Sequence, residues 1–185
     1  METKLLSKRK SIRIEKFDYS QNGLYFITIC TKSREFVFGE IINGKMILSE
    51  NGEIARVCWN EIPQHFSQAL LHEFVIMPDH VHGIIEINTA PVGANHHLPV
   101  NHHLPVNHNL PVNHHLPVNY NVQRGTSQTI GSIVRGFKIG VTKQIGFSPW
   151  QRNYYEHIIR SELEYLRITN YIIENPLKWN GRGES

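Results

Sequence analysis

From Asn95 the chain repeats a six-residue unit, NHHLPV, NHHLPV, NHNLPV, NHHLPV, before ending in NYNV. Proline has no amide hydrogen and a fixed φ. One in every six residues breaks any helix and cannot sit in a central strand. The unit also lacks the strand pattern of a β-helix and looks like tandem duplication in the coding DNA. The stretch of about 90–122 is therefore expected to be an extended low-complexity insertion. The fold must be built from its flanks, as a single domain over 1–185 that the insertion interrupts. Seven of the twelve histidines lie in the repeat. They are set aside as ligands, because an extended tract cannot preorganise a ligand shell.

The flanks read as alternating strands and helices. Leu24–Thr31 is apolar, aromatic and β-branched, the pattern of a buried strand. Glu35–Leu48 reads as two short strands about the turn signal Asn43-Gly44. Ser49–His65 reads as one helix with Ile54, Val57, Cys58 and Ile62 on its apolar face. Leu70–Met77 and His80–Asn88 are strands joined at Pro78-Asp79. Ser127–Ile145 is a helix whose apolar positions are Ile130, Ile133, Val134, Phe137 and Val141. Tyr154–Ile159 is a strand. Ser161–Asn175 is a helix that opens with the capping pair Ser161 and Glu164 and stops at Pro176. Without the hairpin and the last helix, the order is β-α-β-β-α-β. This predicts an α+β fold: a ferredoxin-like antiparallel sheet with helices on one face and the other face open for a ligand or another helix, plus a C-terminal helix.

Nineteen Lys plus Arg against sixteen Asp plus Glu gives a net charge of +3, compatible with a nucleic-acid partner but no proof of one. Lys8, Arg9, Lys10, Arg13 and Lys16 make the N-terminus locally basic. Cys30 and Cys58, in ICT and VCW, read as buried reduced thiols. No apolar run approaches the roughly 18 residues of a membrane span, and the N-terminus lacks a signal-peptide core, so a cytoplasmic protein with no membrane partner is expected.

The most informative segment is Met77-Pro78-Asp79-His80-Val81-His82-Gly83. Side chains alternate across a strand, so His80 and His82 leave on one face and Val81 on the other. Two imidazoles on a rigid strand make two-thirds of a metal site, although two hydrogen-bonded surface histidines would look the same. Gly83 is expected to leave room for a ligand backbone. On the last helix, Tyr171 and Asn175 are four apart and so share a stripe, about 40° apart around the axis. Leu166 and Ile173 mark another stripe, expected to face the sheet, which puts Tyr171 and Asn175 beside the packing face. By spacing alone, a half-buried tyrosine and a helix-ending asparagine are the simpler account.

The HVH that follows MPD, with WQRNYYEHIIR and YIIENPLKW downstream, resembles the single-tyrosine transposases of insertion sequences, which carry a His-hydrophobic-His pair. The resemblance is to the REP-associated tyrosine transposase branch in particular. SIRIEKFDYSQNGLYFITICT, FGEI and SIVRGFK extend it over about 20–88 and 125–179. It implies that His80 and His82 bind a Mg²⁺ or Mn²⁺ ion and that Tyr171 is the nucleophile. It also implies that Asn175 is the third metal ligand, where the insertion-sequence enzymes carry Gln. Tyr19, Tyr25, Tyr120, Tyr154, Tyr155 and Tyr165 are poorer nucleophile candidates. The implied reaction cuts single-stranded or hairpin DNA, leaving a 5′-phosphotyrosine and a free 3′-hydroxyl.

Lys8, Arg9, Lys10, Arg13, Arg135, Lys138, Arg152 and Arg160 are candidate phosphate contacts, though each reads equally well as a solvated charge. Trp150 or Tyr154 could stack on a base, with core packing the simpler role. A homodimer and a monomer both stay open. Two competing readings remain: a nucleic-acid-binding module without turnover, and a catalytically inactive relative that tolerates the repeat.

Overall fold

The computed structural model describes residues 22–88 and 129–180; the hexapeptide repeat and the N-terminal cations Lys8, Arg9, Lys10 and Arg13 lie outside them. The described residues form six strands and four helices. The strands are β1 (Gly23–Cys30), β2 (Gly39–Ile42), β3 (Lys45–Leu48), β4 (Ala69–Met77), β5 (His80–Ile87) and β6 (Tyr155–Ile159). The helices are α1 (Glu50–Asn60), α2 (Ile62–His65), α3 (Ile130–Ile145) and α4 (Glu162–Lys178). The main sheet runs β4-β5-β1-β6, with every pair antiparallel. β1 and β5, the first and third strands of the β-α-β-β-α-β core, lie at its centre, the arrangement expected from the element order. β2 and β3 form a separate hairpin whose turn residues Asn43 and Gly44 both have positive φ, as a two-residue turn requires.

Strand alternation sorts β1 and β5 between two cores. Tyr25, Ile27 and Ile29 of β1 join Val81, Ile85 and Ile87 of β5 in the larger core, under α1 and α3. Phe26 and Ile84 point the other way and pack with Ile159, Ile172, Ile168 and Tyr171 beneath α4. Both faces of the central strands are thus covered, which explains why Leu24–Thr31 reads as unbroken apolar sequence.

Several expectations need correction. The helix expected over Ser49–His65 is two, α1 and α2, meeting at Glu61, with Pro63 starting the second. Its buried stripe is Ala55, Cys58, Trp59 and Ile62, whereas Val57 is exposed. The Trp59 indole decides this rotation: it is fully buried, stacks on Phe74 at 5.5 Å and meets the Phe137 ring edge-on at 5.3 Å. On α4 the expected stripe is also displaced. Leu166 and Ile173 are exposed, and Tyr165, Ile168 and Ile172 face the sheet. Tyr171 and Asn175 therefore lie on the packing face and not beside it.

α4 also runs through Pro176 to Lys178. The proline costs only a hydrogen bond of the last turn. That extra turn carries Trp179 to within 6.0 Å of the Phe36 ring and 5.6 Å of His80. At the other end Ser161 Oγ accepts from the Glu164 amide, as expected, but the Glu164 carboxylate accepts from the Arg160 amide instead of closing a capping box. Finally, Cys30 is only half-buried, whereas Cys58 is buried; both are free thiols.

Candidate active site

Register builds the site. Pairing of β1 with β5 sets Thr28 opposite His82 and Cys30 opposite His80. The two imidazoles leave β5 on the α4 side, with ring centres 4.4 Å apart, while Val81 is buried in the opposite core. Each ring is held through Nδ1. For His82, Nδ1 lies 2.8 Å from Thr28 Oγ1. For His80, Nδ1 lies 2.5 Å from Asp79 Oδ1. A carboxylate can only accept, so His80 Nδ1 is the donor of this bond and Nε2 is the nitrogen left for another partner. Burial, then the neighbouring His80 and Arg34, holds the His82 imidazole well below its usual pKa, so it is neutral at pH 7.

α4 delivers the other two residues. The Tyr171 hydroxyl lies 3.2 Å from His82 Nε2, and its ring meets Phe26 edge-on. Asn175 is buried one turn later, and its amide makes no hydrogen bond among the described residues. All four residues line one pocket of about 400 Å³. Among the described residues the pocket lining includes Arg34 and Lys178 but no carboxylate.

The donor set fits one divalent cation: two imidazoles, each held at Nδ1, and the Asn175 side-chain amide in the same pocket. Among the described residues no group of three His, Cys, Asp or Glu could hold a metal; the oxygen donor that shares the pocket with the histidine pair is the Asn175 side chain.

Several site residues escaped the sequence reading. Asp79 is fully buried and supports His80. Thr28 supports His82. Arg34 forms an ion pair with Asp79 Oδ2 at 3.0 Å. Tyr155 is half-exposed on the pocket wall beside Phe26, whereas Trp150 and Tyr154, for which core packing is the simpler role, do not line this pocket. Trp150 is buried in the core and donates to the Lys138 carbonyl, and the Tyr154 hydroxyl is bonded to Glu156. The Asp79 signal was present in the sequence, as a carboxylate directly before the histidine pair. The others become neighbours only through strand register.

Gly83 does not open the site to a ligand. It faces the larger core, where the Trp59 indole occupies the space a side chain would fill.

The expected phosphate-contacting cations separate. Arg135, Lys138 and Arg152 line a second groove of about 510 Å³ with Lys143, and Gln151 borders both depressions. Lys138 is committed within it: Nζ donates to the carbonyls of Gln151 and Asn153, and burial lowers its pKa to about 8. Arg160 is exposed on the β6–α4 connection and lines neither.

Ser33 and Arg34 both have positive φ, at 52° and 57°. This left-handed conformation costs a non-glycine residue roughly 1–2 kcal/mol. Ser33→Gly, at an exposed position, is expected to stabilise the fold by about 0.5–1 kcal/mol, read as a Tm higher by roughly 1–4 °C. An unchanged or lower Tm would contradict the strain.

The fold and pocket bear directly on the chain's relatives. A solved structure of a REP-associated tyrosine transposase bound to a REP hairpin superposes with a TM-score of 0.56 and 18% identity, covering 90% of this chain and 74% of that one. The fold is therefore that of a tyrosine transposase. An uncharacterized protein of Haemophilus influenzae is 48% identical over 176 residues, 92% of this chain and 89% of its own length. The chain belongs to the same family as that protein. No family profile matches it. Among the described residues no helix is long and apolar enough to cross a membrane.

Proposed function

We propose that the chain is a metal-dependent transposase-type endonuclease that cuts single-stranded or hairpin DNA with Tyr171 as nucleophile. One observation carries most of the weight: a tyrosine hydroxyl 3.2 Å from an imidazole of a same-face histidine pair, in a pocket that Arg34 and Lys178 also line. A phosphodiester suits a pocket with two cationic side chains in its lining. The similarity in fold to a transposase described with a hairpin supports the same substrate class.

His80, His82 and Asn175 would hold the cation, which when bound neutralises charge on a phosphate oxygen. His82 Nε2 cannot both face a cation and take the phenol proton, so His82 is a ligand and not the base. The Tyr171 oxygen bonds to phosphorus as the bond to the 3′ oxygen breaks. The proton released by the phenol ends on that 3′ oxygen. The products are a 5′-phosphotyrosine and a 3′-hydroxyl. Phe26 and Ile172, buried beside Tyr171, hold the ring in one orientation. Tyr171 and both histidines come from one chain, so a single copy completes the site. Phosphates beyond the cut would pass Gln151 towards Arg135, Lys143 and Arg152.

The test is a labelled hairpin oligonucleotide with a single-stranded flank, incubated with Mn²⁺ or with EDTA. Attachment to the protein is expected with Mn²⁺ and absent with EDTA, and His80→Ala is expected to lose it. Equal attachment in EDTA would rule out the metal. Binding without any attachment would favour the inactive relative. Thr28→Val, which removes the partner of His82 Nδ1, is expected to weaken Mn²⁺ binding about 10–100-fold by titration calorimetry. Unchanged affinity would show that Thr28 does not orient the ligand.

A further inference from the structure

The turn after β1 is built at a cost. Ser33 and Arg34 are consecutive non-glycine residues in the left-handed region. The turn is also tied down on several sides. Thr31 donates from its amide and its hydroxyl to the Asp79 carbonyl, and the Lys32 amide donates to the Pro149 carbonyl. Strain that is this firmly held marks a segment whose position matters. What it positions is the Arg34 guanidinium. Nε lies 3.0 Å from Asp79 Oδ2, and Nη1 donates to Cys30 Sγ at 2.8 Å. Nη2 makes no hydrogen bond among the described residues. The side chain is about one-third exposed and lines the pocket of His80, His82 and Tyr171.

Asp79 alone therefore orients two groups. One oxygen holds His80 and the other holds Arg34. Neutralising a buried aspartate would not need a left-handed arginine at the rim of a pocket. An arginine whose Nη2 has no partner among the described residues, paired with a carboxylate behind it, is suited to bind an oxyanion in front.

Resting on the DNA-cleavage reading, we propose that Arg34 is a phosphate-binding residue of this pocket, oriented by Asp79, that takes a backbone oxygen at or beside the scissile position.

The experiment measures binding without turnover. Affinity for a labelled hairpin oligonucleotide with a single-stranded flank is measured by anisotropy in EDTA over a series of salt concentrations. Each released counterion from a single strand contributes about 0.7 to the slope of log affinity against log salt. Arg34→Ala is expected to weaken binding about tenfold and to lower that slope by about 0.7. Arg34→Lys keeps the charge and is expected to restore the slope. If the alanine variant does not fold, Arg34→Gln, which keeps a donor for Asp79, is measured instead with the same expectation. A slope equal to wild type in the neutral variant would overturn the proposal and leave Arg34 as a counter-ion to Asp79 only. Wild-type protein that does not bind the oligonucleotide would overturn the DNA reading itself, a different failure.

Discussion

Tyr171→Phe is expected to abolish covalent attachment to a cleavable hairpin, by about a thousandfold or more, with little loss of stability. The phenylalanine ring keeps the edge-on contact with Phe26, at 6.2 Å between centres, and the packing beside His82 at 5.2 Å. The hydroxyl contact with His82 Nε2 is lost, worth about 1 kcal/mol. Circular dichroism melts should therefore nearly overlay while the adduct band disappears. Tyr155→Phe is the matched control. It removes a hydroxyl from the same pocket but not from the histidine pair, and should leave the adduct intact. A Tyr171→Phe variant that still forms adduct would exclude this tyrosine as nucleophile.

The largest effect on stability is expected from Gly83→Ala. A Cβ there would lie 2.3 Å from Trp59 Cζ2 and 2.6 Å from Cη2. The indole has nowhere to go, since it is fully buried between Phe74 and Phe137. Either the indole leaves its rotamer or β5 shifts, and overpacking of this kind costs about 3 kcal/mol. The Tm should fall by roughly 6–12 °C. A shift of β5 would move His82 too, so Mn²⁺ affinity should fall with stability. Combining Gly83→Ala with Trp59→Leu should cost less than the sum of the two singles, because the clash is removed with the indole. A Gly83→Ala protein that melts within 1 °C of wild type would mean that the close packing of β5 under α1 is wrong.

Gly83 also marks where the sequence reading failed. Its position next to the histidines suggested space for a ligand. Nothing in the chain places a tryptophan 24 residues earlier against that face; only the packing of α1 on the sheet does. The same indole turned the stripe of α1 away from Val57. On α4, Leu166 and Ile173 looked like the packing stripe because they are apolar, yet the buried face carries Tyr165, Ile168, Tyr171, Ile172 and Asn175. Two tyrosines and an asparagine do not read as a core face by hydropathy. They are there because the face packs on a site as well as on a core.

What depends on short-range periodicity was legible. Alternation put His80 and His82 on one face and Val81 on the other, and the order of elements identified β1 and β5 as central strands. The groups that support the histidines were not legible in the same way. Thr28 meets His82 across 54 residues, and Arg34 meets Asp79 across 45, through register and a strained turn that no local pattern announces.

The measurement that most directly tests the central claim is mass spectrometry of the protein–DNA adduct formed by the wild-type chain. The expected result is a single modified peptide in which a 5′-phosphonucleotide is bonded to the Tyr171 oxygen. An adduct on Tyr155, Tyr165 or any other residue, or cleaved DNA with no adduct at all, would contradict the account.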